Sequence, residues 1–156
     1  MHDTPFDILQ EAAALLAECR TASLATVNAE GDPHAANIQY VQDDQLRLHY
    51  ISSEDSAHSV DIAVQIAVAV AVYHHDDAQL GTIRGVQLRG RVEAVTDQRE
   101  LADVMERYLS KFSFIADDPQ LRAAVQRQTL YRFTPTWLRM IDNRRGFGWK
   151  VEIDMD

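Results

Sequence analysis

Three sets of residues carry chemistry. Ser52, Ser53 and Ser56 gather hydroxyls just before a helix expected to start near Ser56. Hydroxyl donors beside the free N–H groups of a helix start suit an anion, above all a phosphate dianion. His58 adds a charge-assisted donor when protonated, but an unperturbed imidazole titrates near about 6.5 and is mostly neutral at pH 7. Gln39 and Gln87 bring amides, which both donate and accept, and each falls in an alternating strand pattern. Tyr50 and Trp149 offer ring faces, and Arg84, Arg144, Arg145 and Lys150 offer positive charge. His74, His75, Asp76 and Asp77 are metal-ligand types, yet neighbouring strand residues point opposite ways, so they read as a polar turn rather than a metal site. No Ser-His-Asp nucleophile, phosphate-binding glycine loop or zinc cysteine pair can be assembled from the remainder.

The elements that position these residues follow from periodicity. Thr4 and Pro5 open a helix over residues 4–20, with Ile8, Leu9, Ala12, Ala13, Leu16 and Cys19 on one stripe. Alternating segments around Ser23–Val27 and Ala35–Val41 flank Asn28-Ala29-Glu30-Gly31-Asp32 and predict a hairpin. A strand over 46–51 follows a turn at Asp43-Asp44. In Ile66–Tyr73 large branched residues alternate with alanines, so one face is expected to fill a barrel interior and the alanine face to admit a helix or a second subunit. The strand Ile83–Glu93 places Val86 and Leu88 opposite Gln87, Arg89 and Arg91. Its Gly85 and Gly90 mark a bend or a close ligand. Helical segments over 97–111 and 119–128 precede closing strands within 130–153, where Asp142-Asn143 shapes a turn.

A chain of 156 residues with 46% hydrophobic content suits one domain, divided into helix 4–20, barrel 21–95, helical segment 97–128 and strands 130–153. A net charge of −9 disfavours nucleic acid as a partner. The single Cys19 excludes an internal disulfide and reads as a small buried hydrophobe, and no apolar run is long enough for a membrane span, so the expected compartment is the cytoplasm.

The run Ile-Arg-Gly-Val-Gln-Leu-Arg-Gly at 83–90, with Ile141-Asp142-Asn143 and Gly146-Phe147-Gly148 downstream, resembles the pyridoxamine 5'-phosphate oxidase-like FMN-binding split barrels, closest to their small bacterial YhbP-type branch. The resemblance spans Ser23 to Ile153 and implies an α+β fold, mainly β with helices, built on a predominantly antiparallel split β-barrel. It implies a homodimer with one FMN in each of two interface clefts, and a flavin-dependent oxidoreductase of unknown substrate. FMN needs donors for its phosphate, apolar walls for its ring and amides for the ring edge. The candidates are Ser52, Ser53, Ser56 and His58 for the phosphate, Gln39 and Gln87 for the edge, and Tyr50 and Trp149 for the ring, with Arg84, Arg145 and Lys150 as further cations. Relatives commonly follow the serine with Arg-Lys, where this chain has Ala57-His58. The residues around Trp137 also lack the Trp-Gln and Arg-x-His pattern of true pyridoxine-phosphate oxidases. Two alternatives therefore stand beside FMN: a barrel holding deazaflavin or haem, and a dimeric barrel with no cofactor.

Overall fold

The computed structural model describes residues 3–74 and 80–156. Helix α1 (Pro5–Glu18) begins with a reciprocal cap: the Asp7 N–H donates to Thr4 Oγ1 at 3.2 Å and the Thr4 N–H donates to Asp7 Oδ2 at 2.9 Å. Its stripe of Ile8, Ala12, Leu15 and Leu16 is wholly buried in the barrel core. Burying one such leucine is worth roughly 1.5–3 kcal/mol, so packing rather than helix propensity holds α1 in place.

Strands β1 (Thr21–Val27), β2 (Pro33–Gln42), β3 (Leu48–Ser52), β4 (Ala67–His74), β5 (Arg84–Ala94) and β6 (Thr129–Asp142) pair antiparallel in the order β3-β2-β1-β4-β5-β6, and β3 also pairs with β6, which closes a six-stranded barrel. The 14-residue β6 makes this possible. Its first half lies between β3 and β5, and its second half carries β7 (Lys150–Asp154) on its outer edge. The closing strands over 130–153 are thus one continuous strand plus a short one.

Inside, Val68, Val70 and Val72 of β4 meet Val86, Leu88 and Val92 of β5, Leu24 of β1 and Phe133 of β6. The alanines of β4 face outward, as their alternation predicts. Gly85 and Gly90 serve neighbouring strands rather than a ligand. A Cβ on Gly90 would come within 2.1 Å of the Thr134 carbonyl, and one on Gly85 within 2.9 Å of the Val72 carbonyl. At Gly90 the β5–β6 register shifts, pairing Arg89 with Trp137 and Gly90 with Pro135, so Thr136 bulges out and the strand tolerates a proline.

The outer surface has two halves. Over β2, β3 and β6, helices α3 (Gln98–Lys111), α4 (Ser113–Asp117) and α5 (Pro119–Gln126) bury Val41, Val95, Leu130, Val104, Tyr108, Phe112 and Ile115 in a second core. Helix α4 is an addition to the helical pattern read from the sequence. Buried His49 and half-buried Arg132 grip Glu100 of α3 there, with His49 Nε2–Glu100 Oε1 at 3.1 Å and a two-pronged Arg132 contact at 2.6 and 2.8 Å. Over β1, β4 and β5, the outward residues Ser23, Ala25, Ala69 and Ala71 remain exposed.

Candidate functional site

Ser56 caps the eight-residue helix α2 (Ala57–Val64), its hydroxyl accepting from the Ser59 N–H at 3.4 Å. That cap serves the third N–H of the helix, so the first two, on Ala57 and His58, have no partner within it. Ser52 Oγ lies 2.8 Å from His58 Nε2 and 3.1 Å from Ser56 Oγ, and Ser56 Oγ lies 3.2 Å from the same nitrogen. Burial lowers the His58 pKa against the pull of Asp61, so the imidazole is neutral at pH 7. The cluster is a set of uncharged donors and acceptors at a helix N-terminus. Ser53 stands apart, its hydroxyl accepting from the Asp55 N–H and its carbonyl from Ser56.

The same helix is pinned from below. Asp61, 3% exposed, accepts from the Thr26 hydroxyl at 2.6 Å, and the same oxygen lies 2.7 Å from His34 Nδ1. The Thr26 hydrogen bond, with His34 beside it, holds this carboxyl below its ordinary value.

Ser52 and His58 open onto a cleft of about 320 Å³ between β2, β3 and the helical segment. Asn37 and Gln39 supply amides to its walls, and Phe114 and Leu121 are exposed apolar side chains. The Tyr108 hydroxyl donates to the Gln39 carbonyl at 3.0 Å and ties α3 to this wall. The cleft thus joins uncharged hydroxyl and imidazole groups, amides and an apolar wall. Asn37, Phe114 and Leu121 are additions to the residues expected from sequence.

Other expected residues lie elsewhere. Tyr50 is wholly buried inside the barrel, stacked on Tyr131 with ring centroids 5.3 Å apart, and it builds core rather than a cleft wall. Arg84 pairs with Glu18 at 2.9 Å, Arg144 with Asp142 at 2.7 Å, and Arg145 with Asp3 and Glu11 while covering the Trp149 ring at 4.5 Å. These guanidiniums answer the chain's own carboxylates at the turn before β7, where Asn143 Oδ1 accepts from the Gly148 N–H. Lys150 is exposed at the start of β7. His74 sits 3.5 Å from Glu18, and His75, Asp76 and Asp77 lie outside the described residues.

Gln87 lines a separate groove of about 500 Å³ on the bare outer face, with Arg89, Trp137 and Arg139 on one wall and Ala69 and Ala71 on its floor. Successive cross-strand partners Gln87, Ala71, Ser23 and Asn37 run from this groove to the cleft. Three strand spacings of about 4.8 Å put Gln87 roughly 14 Å from Asn37. Within one copy of the chain, Gln87 and the Ser52–His58 cluster therefore lie at opposite ends of a shallow track.

Comparison with known proteins agrees with this architecture. The chain is 25% identical over 130 residues to the UPF0306 protein of Klebsiella pneumoniae, covering 83% of this chain and 82% of that one. Its fold is similar to a heme binding protein from Mycobacterium smegmatis, with a TM-score of 0.81 and 17% identity over 99% of this chain and 60% of the other. It is also similar to a FAD-binding protein from Mesorhizobium loti, with a TM-score of 0.64 and 20% identity over 83% of this chain and 90% of the other. The sequence pattern described as pyridoxamine 5'-phosphate oxidase matches residues 8–142, and with its closed barrel the chain belongs to that family.

Proposed function

We propose that this protein is an FMN-binding redox protein of the cytoplasm that works as a homodimer, an oxidoreductase whose substrate is a small molecule. The observation that carries this reading is the cleft where Ser52 and His58 meet the N-terminus of α2, with amide and apolar walls. Bound flavin supplies the electron transfer, and the protein supplies binding and orientation. Ser52, Ser56 and the first N–H groups of α2 hold the phosphate, Gln39 addresses the ring edge, and Phe114 and Leu121 limit water. A neutral His58 leaves the phosphate without a fixed cation, so the reading implies weak, exchangeable flavin. A structural neighbour's description as FAD-binding supports a flavin in this fold.

The bare face of Ser23, Ala25, Ala69 and Ala71 suits a second copy of the chain, because small side chains let two sheets approach closely. The visible spectrum of the purified protein and fluorescence titration with FMN test the cofactor. Saturable quenching supports it, and colourless protein indifferent to micromolar FMN removes it.

Haem is the second reading. His34 Nδ1 faces a buried carboxylate, an arrangement that orients an imidazole and leaves Nε2 available as a ligand. One structural neighbour is described as heme binding. A Soret band on haem titration that is lost in His34→Ala would favour it.

A further inference from the structure

We infer that helix α5 is a lid on the Ser52–His58 cleft, and that its closure sets Arg127 over the anion held there. The identity of that anion, the FMN phosphate, rests on the flavin reading above.

Helix α5 is the least anchored element of the second layer. Helix α3 is fixed to the barrel by the buried side chains of Val104 and Tyr108, and α4 by Ile115, with Phe112 buried between them. Helix α5 buries no side chain. It packs chiefly on α4, and Val125, half-buried, is the α5 side chain set against the second core. Its apolar residues are nevertheless ordered: Leu121, Ala124 and Val125 stand three and four positions apart, and with Gln128 just beyond the helix they line the cleft. An amphipathic helix ordinarily presses such a face onto core. This one holds it over about 320 Å³ of cleft, with Leu121 and Phe114 exposed. Segments with few buried contacts open at little cost, and lids are drawn from them.

Both ends of the segment can turn. Between Ile115 and Leu130, each set in the second core, no residue is buried. Upstream, Asp118 is extended (φ −114°, ψ 103°) between two helices, and its N–H reaches the Ile115 carbonyl only at 3.4 Å. Its carboxylate then starts α5 afresh, accepting from the Gln120 and Leu121 N–H groups at 3.0 and 3.1 Å. Downstream, the Arg127 and Gln128 N–H groups end the helix on Ala124 and Val125 at 3.3 and 3.1 Å, and the chain enters β6, where Thr129 pairs with Ser52. The second hinge thus lies beside the hydroxyl end of the cleft.

That placement singles out Arg127. His58 is neutral and the Ser52 and Ser56 hydroxyls carry no charge, so a phosphate there needs a cation from outside the cluster. Arg84, Arg132, Arg139 and Arg144 are committed to carboxylates of the chain. Arg127 is exposed and, among the described residues, enters no ion pair. It adjoins Gln128 of the cleft wall and stands two residues from Thr129, the strand partner of Ser52. Two residues span at most about 7 Å and paired strands lie about 5 Å apart, which brings the cluster within range of a long side chain. A guanidinium offers phosphate two parallel N–H donors. Carried on the lid, the cation arrives as the cleft shuts and withdraws as it opens, so capture and release of the anion share one motion.

FMN and riboflavin differ only in the phosphate, and so isolate its contribution. Each is titrated by fluorescence into the cofactor-free full chain and into Arg127→Ala and Arg127→Lys, while hydrogen exchange reads the lid. The expected result is FMN about tenfold tighter than riboflavin, a preference abolished in Arg127→Ala and partly kept in Arg127→Lys, with riboflavin affinity unchanged throughout. Amides of residues 120–126 are expected to exchange well before those of α3 in free protein and to slow with FMN. Leu121→Ser, at an exposed position, is expected to speed FMN release about tenfold. An unchanged FMN preference in Arg127→Ala, or FMN bound with α5 exchange unaltered, would overturn the inference and leave the flavin reading standing. A chain that binds neither flavin would remove that reading. Inorganic phosphate then serves as the probe: slowing of α5 exchange that Arg127→Ala abolishes sustains the lid and its cation, whereas no slowing, or slowing that survives the substitution, overturns them.

Discussion

The Asp61 carboxylate lies 2.7 Å from His34 Nδ1, joining helix α2 to the start of β2 across 27 positions of the chain, and Thr26 of β1 closes on the same oxygen at 2.6 Å. The lock sits one turn from His58 and sets where the N-terminus of α2 points. Asp61→Asn and Thr26→Val are expected to lower the melting temperature and, in protein that still folds, to weaken FMN binding without touching it. Thermal melts with flavin titration check this; a loss of stability with unchanged flavin affinity would confine the lock to folding.

Charge at the phosphate end should be recoverable. With neutral Ala57-His58 in place of a basic pair, Ala57→Arg with His58→Lys is expected to tighten FMN by about tenfold or more, since charge-assisted hydrogen bonds are roughly twice as strong as neutral ones. Ser52→Ala is expected to weaken it by about three- to tenfold, the value of one ordinary hydrogen bond. Fluorescence titration reads both, and no gain in the double variant would place the phosphate elsewhere.

Acid should loosen the protein earlier than its carboxylates alone would dictate. Burial lowers the pKa values of His49 and His58, that of His49 against the pull of Glu100 and Asp43 and with the help of Arg47. The unfolded chain then binds more protons than the folded one between the folded values and about 6.5, so stability falls as pH drops through that window and is constant above it. Urea midpoints measured from pH 7.5 to 5 are expected to decline, and His49→Gln, which can still reach Glu100, is expected to flatten part of the decline.

The two strand glycines should be intolerant of any side chain. A methyl on Gly90 would meet the Thr134 carbonyl at 2.1 Å and the Phe133 ring at 2.9 Å, so Gly90→Ala is expected to cost about 3 kcal/mol or more, whereas Gly81, with nothing within 4 Å of an added Cβ, should accept alanine nearly silently. Denaturant unfolding of the two variants makes the comparison.

Local features were legible in the sequence. Thr4-Pro5 with its following stripe gives α1, the Val/Ala alternation gives β4 with its faces correctly assigned, and Ser52, Ser56 and His58 lie so close in the chain that a cap and a turn bring them together. Features made by distant pairing were not. The β3–β6 closure, Asp61 against His34, and Arg89 over Trp137 join segments 27 to more than 70 residues apart, and no period records them. Gly90 shows the boundary between the two. Its presence in a strand announces a close approach, but only the β6 bulge reveals that the visitor is a carbonyl of the protein itself. Tyr50 was misplaced for the same reason, since its alternation fits either face until Tyr131 stacks on it across the closure.

Closing the barrel leaves β7 as the free flank of the sheet, a row of unanswered backbone N–H and C=O groups on which another chain could extend the ladder. That strand is only five residues long, and its exposed side chains are Lys150, Glu152 and Asp154. Short length and alternate charges are what discourage strand addition at such a margin. The alternating charges of Lys150, Glu152 and Asp154 thus guard the molecule against polymerising through its last strand.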